Sequence, residues 1–197
     1  MQSKIFIGIS FYPGSQQKKI NGFRQRFDSK YFNQKESVMS LVAPFEIEDV
    51  KIKYLAEELE EELESYFYGH ETNRMLTFMG MDIFVSGKNK ILYLNPLFGS
   101  DLEFTQEKIS EVCKDFIPNR EVRQKLESKK MFMPIGRFQD SESLQNAVNQ
   151  AQKEITFPLE MPLAHISIFK KMNNAWSEEH KLVSFLDDSN TFLQMDM

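Results

Sequence analysis

The sequence predicts an α+β fold of two similar lobes, and three observations carry the prediction. Strand-like and helix-like apolar periodicities alternate in the order β-α-β-α-β-β-α-β-α-β-β. Two similar strand-like segments, Ser37–Phe45 (SVMSLVAPF) and Met131–Phe138 (MFMPIGRF), each lead through a loop into a helix, one in each half. No low-complexity linker divides the 197 residues, so one unit over residues 1–190 is expected, with 191–197 as a loose tail.

Each element follows from local pattern. Lys4–Tyr12 sets Ile5, Ile7 and Ile9 against Phe6, Gly8 and Ser10, a period of two that predicts a strand rather than a signal peptide. Pro13-Gly14-Ser15 interrupts it, and Ser15 is a suitable cap for a helix to Phe27 with Ile20, Phe23 and Phe27 inward. Val38–Ile47 predicts the second strand. Val50–Tyr68 predicts a long helix in which Leu55, Leu59, Leu63 and Phe67 form an i, i+4 stripe, leaving the glutamates of EELEEELE outside. Arg74–Ser86 and Lys90–Pro96 flank Gly87-Lys88-Asn89 as a hairpin. Leu102–Phe116 predicts a helix, Met131–Phe138 a strand, and Asp140 or Ser141 caps a helix to Ile155. A closing hairpin of Phe157–Lys171 and His180–Phe185 is expected across MNNAWSEE.

Composition narrows the function. A 41% hydrophobic share with 18 Phe supplies core material, and no run approaches the ~18 apolar residues of a membrane span. A net charge of −5 argues against general nucleic-acid binding, which draws its affinity from many phosphate contacts. The single cysteine, Cys113, excludes an internal disulfide and a cysteine-based zinc site, reads as a small core residue, and favours a reducing cytoplasm. No spacing of histidine and acidic residues suits a metal, and no Gly-rich phosphate loop occurs, so no cofactor is expected. The cations from Lys18 through Arg24 and Arg26 to Lys35, with Asp28 the lone acid among them, read as a solvated helix face. Trp176 and the first-strand phenylalanines read as core or loop anchors.

The order and landmarks resemble the 2H phosphoesterase superfamily, and within it the bacterial 2′-5′ RNA ligase-like proteins. The residues that carry the resemblance are Val38-Met39-Ser40-Leu41 followed by Val42-Ala43-Pro44-Phe45, and Phe132-Met133-Pro134-Ile135-Gly136-Arg137. They stand where the family has His-x-Thr/Ser-x with a following Pro-Phe, and His-Val-Thr-hydrophobic-x-Arg. DIFVSGKNKILYLNP matches the middle pair of strands and PLAHISIFKKMNN the closing strand. The resemblance implies two antiparallel sheets around a central cleft with helices outside.

It also implies a chemistry this chain does not carry. In the family one histidine acts as general base, the other protonates the leaving oxygen of a cyclic phosphate or 2′-5′ phosphodiester, and the hydroxyl holds the phosphate. Only imidazole readily serves both protonation states near neutral pH. Here Val38 and Phe132 replace both histidines and Pro134 the second hydroxyl, while Ser40, Pro44-Phe45 and Arg137 remain. His165-Ile166-Ser167 fits His-x-Ser in isolation but lies in the closing strand, where a structural role is expected; His70 reads as a loop residue and His180 as an exposed one. Three readings follow: a degenerate, non-catalytic protein holding a nucleotide, RNA end or partner through Ser40 and Arg137; an enzyme with a rebuilt acid–base pair drawing on Glu, Lys, Tyr or His165; or a protein-interaction module with a plugged cleft.

Overall fold

The computed structural model describes residues 1–28, 37–67, 74–97, 99–117, 119, 121–123 and 131–185. The expectations for His70 and for the tail at 191–197 lie outside the described residues.

The elements follow the expected order: β1 (Gln2–Phe11), α1 (Ser15–Phe27), β2 (Val38–Glu48), α2 (Asp49–Phe67), β3 (Met75–Ser86), β4 (Asn89–Pro96), α3 (Ser100–Phe116), β5 (Met133–Phe138), α4 (Ser141–Glu154), β6 (Leu159–Met172) and β7 (Ala175–Ser184). The strands form one connected antiparallel sheet in the order β2-β1-β6-β3-β4-β5, with β7 also on β6. The link is the 14-residue β6. Its first residues, Leu159–Pro162, pair with β3, and from Leu163 onward it pairs with β1 on one flank and, from His165, with β7 on the other. A register shift between Ser10 and Phe11 of β1 marks the changeover, where a bulge bends the strand. The two ends of the strand order, β2 and β5, touch each other. The sheet therefore curls enough to bring part of β2 near β5, without pairing them.

One apolar core unites the fold. Ile5, Ile7 and Ile9 from β1, Ile20 and Phe23 from α1, Leu55, Leu59 and Leu63 from α2, Ile109 and Cys113 from α3, Ile135 from β5 and Ala147 from α4 are all buried in it. The stripe on α2 is thus inward, and Lys108 of α3 meets the outward Glu62 at 3.2 Å. No helix among the described residues is long and apolar enough to cross a membrane.

Three local expectations need correction. Ser15 is the first helical residue of α1, not its cap; Gly14 takes that place with no side-chain cap bond. By contrast, Asp140 caps α4 as expected, accepting from the Ser143 N–H at 2.7 Å. The β6–β7 connection is a two-residue turn rather than an eight-residue loop. Asn173 and Asn174 both have positive φ, 47° and 66°, which asparagine tolerates and a tight hairpin requires. β7 therefore starts at Ala175 and carries Trp176 as a strand residue, and His180 on it is half-buried. Finally, Arg24 is not part of a solvated face: it is 5% exposed.

Candidate functional site

Alternation on β1 sends its isoleucines into the core and turns Phe6, Gly8 and Ser10 to the other face. Pairing extends that face sideways. Gly8 lies between Ser40 of β2 and Ser167 of β6, and Ser10 between Val38 and His165. The first motif strand and the His165 strand are thus separated by one strand, roughly 10 Å from β2 to β6.

Val38 does not leave an open histidine-sized site. It is buried in a small cluster with Phe6 and Phe169, against which Trp176 packs. Phe6 stacks on Phe169 at 4.8 Å between ring centroids, and Trp176 meets Phe6 edge-on at 4.7 Å. Gly8 makes room for this: a Cβ there would sit 2.7 Å from Val38 Cγ1, 2.9 Å from the Met39 carbonyl oxygen and 2.9 Å from the Phe6 ring. Phe6, Val38, Phe169 and Trp176 thus form an apolar cap over β1.

Beside that cap lies a short polar row. Ser40 is half-buried next to Gly8. The Ser167 hydroxyl donates to the Glu178 carboxylate at 2.6 Å. The Ser10 hydroxyl donates weakly to the His165 carbonyl at 3.4 Å. His165 is half-buried and its Nδ1 is buried without a hydrogen-bond partner. Desolvation, then the nearby Lys181 charge, push its pKa below the usual imidazole range, outweighing the opposite pull of Glu178.

On β5 the second motif takes a different course. Phe132 sits just before the strand, its ring 4.9 Å from Tyr93 and 6.1 Å from the half-exposed Phe84. Pro134 pairs with Tyr93 next to a register shift on the strand that ends the sheet order, a place where a missing N–H donor is tolerated. Arg137 reaches away from the strand to Asp28 at the C-terminus of α1, its Nη1 donating to the two carboxylate oxygens at 2.8 and 2.6 Å. Arg24 approaches the same carboxylate, Nε to Oδ2 at 3.7 Å, and donates through Nη1 to the Ser37 hydroxyl at 3.3 Å. Ser37 in turn donates to Asn21. Burial raises the pKa of Asp28, against the opposing pull of Arg137 and then Arg24.

Of the expected site residues, the structure therefore places Ser40, Val38 and His165 on one face of β2, β1 and β6, Phe132 in an aromatic group with β3 and β4, and Arg137 in a buried ion pair. Ser40 is no part of that ion pair. Sequence reasoning missed Arg24, Asp28 and Glu178; the one signal was Asp28 standing alone among cations. Among the described residues no three His, Cys, Asp or Glu side chains converge to hold a metal.

No family model matches the chain, and no curated protein matches it. Among solved structures it is similar to Usb1 of Kluyveromyces marxianus, free and with uridine monophosphate. Each likeness covers 89% of this chain and 96% of the other at 9% identity, with TM-scores of 0.49 and 0.48. Likeness at that level assigns no residue a role.

Proposed function

We propose that the chain is a degenerate protein of the 2H phosphoesterase type, which has kept the scaffold and lost the two-histidine catalyst, and which binds a phosphate-bearing ligand, a nucleotide or RNA end, instead of hydrolysing it. The observation that carries the reading is the fate of the two motif strands. β2 and β5 end the strand order yet come into contact, as two motif strands facing one cleft would. The positions that the resemblance aligns with the family's histidines carry apolar side chains with aromatic partners of their own: Val38 with Phe6, Phe169 and Trp176, and Phe132 with Tyr93 and Phe84. Neither side chain moves a proton, and each lost transfer is typically worth about 10²- to 10⁴-fold in rate. Ser40 of β2 and Arg137 of β5 are the ligand contacts of this proposal, and Arg137 reaches the ligand by exchanging its bonds to Asp28.

Incubation with nucleoside 2′,3′-cyclic phosphates and 2′-5′ dinucleotides tests this. No turnover above a heat-inactivated control is expected, and turnover lost in Arg137→Gln or His165→Ala sinks the reading. The second reading, a rebuilt enzyme, draws on one specific observation: His165 Nδ1 is buried with no hydrogen-bond partner among the described residues, on a face shared with Ser40 and Ser167. Hydrolysis abolished by His165→Ala but retained in Ser40→Ala selects that alternative.

A further inference from the structure

Among the described residues, two guanidinium groups and a carboxylate meet where α1 ends against β5. Arg24 is the fixed member, its side chain 6% exposed and bonded to Ser37, itself tied to Asn21. Arg137 is the accessible member, with 27% of its side chain exposed. Between them Asp28 is 1% exposed, and its backbone N–H closes the last turn on the Arg24 carbonyl at 2.7 Å. A carboxylate and a phosphate offer arginine similar pairs of oxygens, so such a geometry accepts either.

We propose that Arg24 and Arg137 form an oxyanion site for a phosphate group, and that Asp28 closes this site as an internal carboxylate, so that ligand and Asp28 compete for Arg137. The proposal deepens the binding role given to Arg137 above and rests on it. Burial holds Asp28 there at a cost, reflected in its raised pKa, whereas a phosphate dianion gains from two guanidiniums at once. Asp28 is thus a gate on affinity: its carboxylate occupies the site in the apo protein, and a ligand must displace it.

Isothermal titration of the intact chain with inorganic phosphate, at constant ionic strength, reads the competition directly. Wild type is expected to bind saturably in the millimolar range, Asp28→Asn about tenfold or more tightly, and Arg137→Gln not at all. The same affinity in wild type and a folded Asp28→Asn overturns the gate, and saturable binding by Arg137→Gln equal to wild type overturns the site. Should Asp28→Asn not fold, the wild-type and Arg137→Gln pair decides alone, and absence of saturable binding in wild type counts against the proposal. Turnover of a cyclic phosphate defeats the functional reading without altering the Asp28 result, so the two failures are distinguishable.

Discussion

Substituting Gly8 by alanine tests the packing of the apolar cap around Val38. The new Cβ meets three atoms at once: Val38 Cγ1 at 2.7 Å, the Met39 carbonyl oxygen at 2.9 Å and the Phe6 ring at 2.9 Å. Val38 and Phe6 are 6% and 1% exposed and held by Phe169 and Trp176, and the carbonyl belongs to a paired strand, so none yields freely. Overpacking of this kind costs about 1–3 kcal/mol. Replacing glycine in a strand returns roughly 0.5–1 kcal/mol of backbone entropy; with three close contacts made at once the overpacking falls in the upper half of its range, about 2–3 kcal/mol, leaving a net loss of about 1–2 kcal/mol. For a chain of this size that lowers Tm by about 2–8 °C. The assay is thermal and urea unfolding with Gly22→Ala as internal control. Gly22 lies exposed in α1 with no atom within 4 Å of the added carbon, so alanine there gains about 0.8–1 kcal/mol. Adding Val38→Ala to Gly8→Ala removes the shortest contact but not the carbonyl, so the double variant is expected to lose less than the sum of the singles, by about 0.5 kcal/mol or more. Gly8→Ala at or above wild-type Tm refutes the aromatic cap over β1.

Three further outcomes follow from individual side chains. His165 has a depressed pKa from desolvation and Lys181, so its ring C2–H is expected to titrate by NMR below the usual imidazole midpoint. Because the folded state then binds fewer protons than the unfolded one, this residue costs stability as pH falls through the unfolded value, and His165→Gln should flatten that part of the stability profile. Asp140, whose pKa is lowered by its bonds to the Ser143 N–H, works in the opposite range. Its contribution is present above the unfolded carboxylate value and lost as pH falls through the folded one, so Asp140→Ala should lower Tm at pH 7 and converge on wild type in acid. Cys113 is fully buried and burial pushes its thiol pKa strongly upward, so iodoacetamide should leave it unmodified in the folded protein and alkylate it in urea, read by mass spectrometry.

How far the chain can be read from its residues depends on whether the deciding contact is local. The β1 alternation and the α2 leucine stripe are repeated within one element, and both were legible because burial imposes that period directly. β7 was half missed because its exposed residues, Ser177-Glu178-Glu179, lack alternation, and only the pair of left-handed asparagines before it reveals the turn. The site divides in the same way. That Val38 and Phe132 are not histidines is visible as two letters, but what surrounds them is not, since the cap over Gly8 draws Phe6, Val38, Phe169 and Trp176 from four strands. Arg24 lay hidden for a related reason. A run of cations carries no information about which member turns inward; that is decided by Arg137, 109 positions from Asp28, and by the curl that brings β5 to α1. A buried carboxylate needs its charge compensated, so Asp28 alone among cations was the one local sign that the run had an inside. The same compensation makes the site competitive, because any anion that satisfies both arginines leaves Asp28 free to take up a proton or meet water.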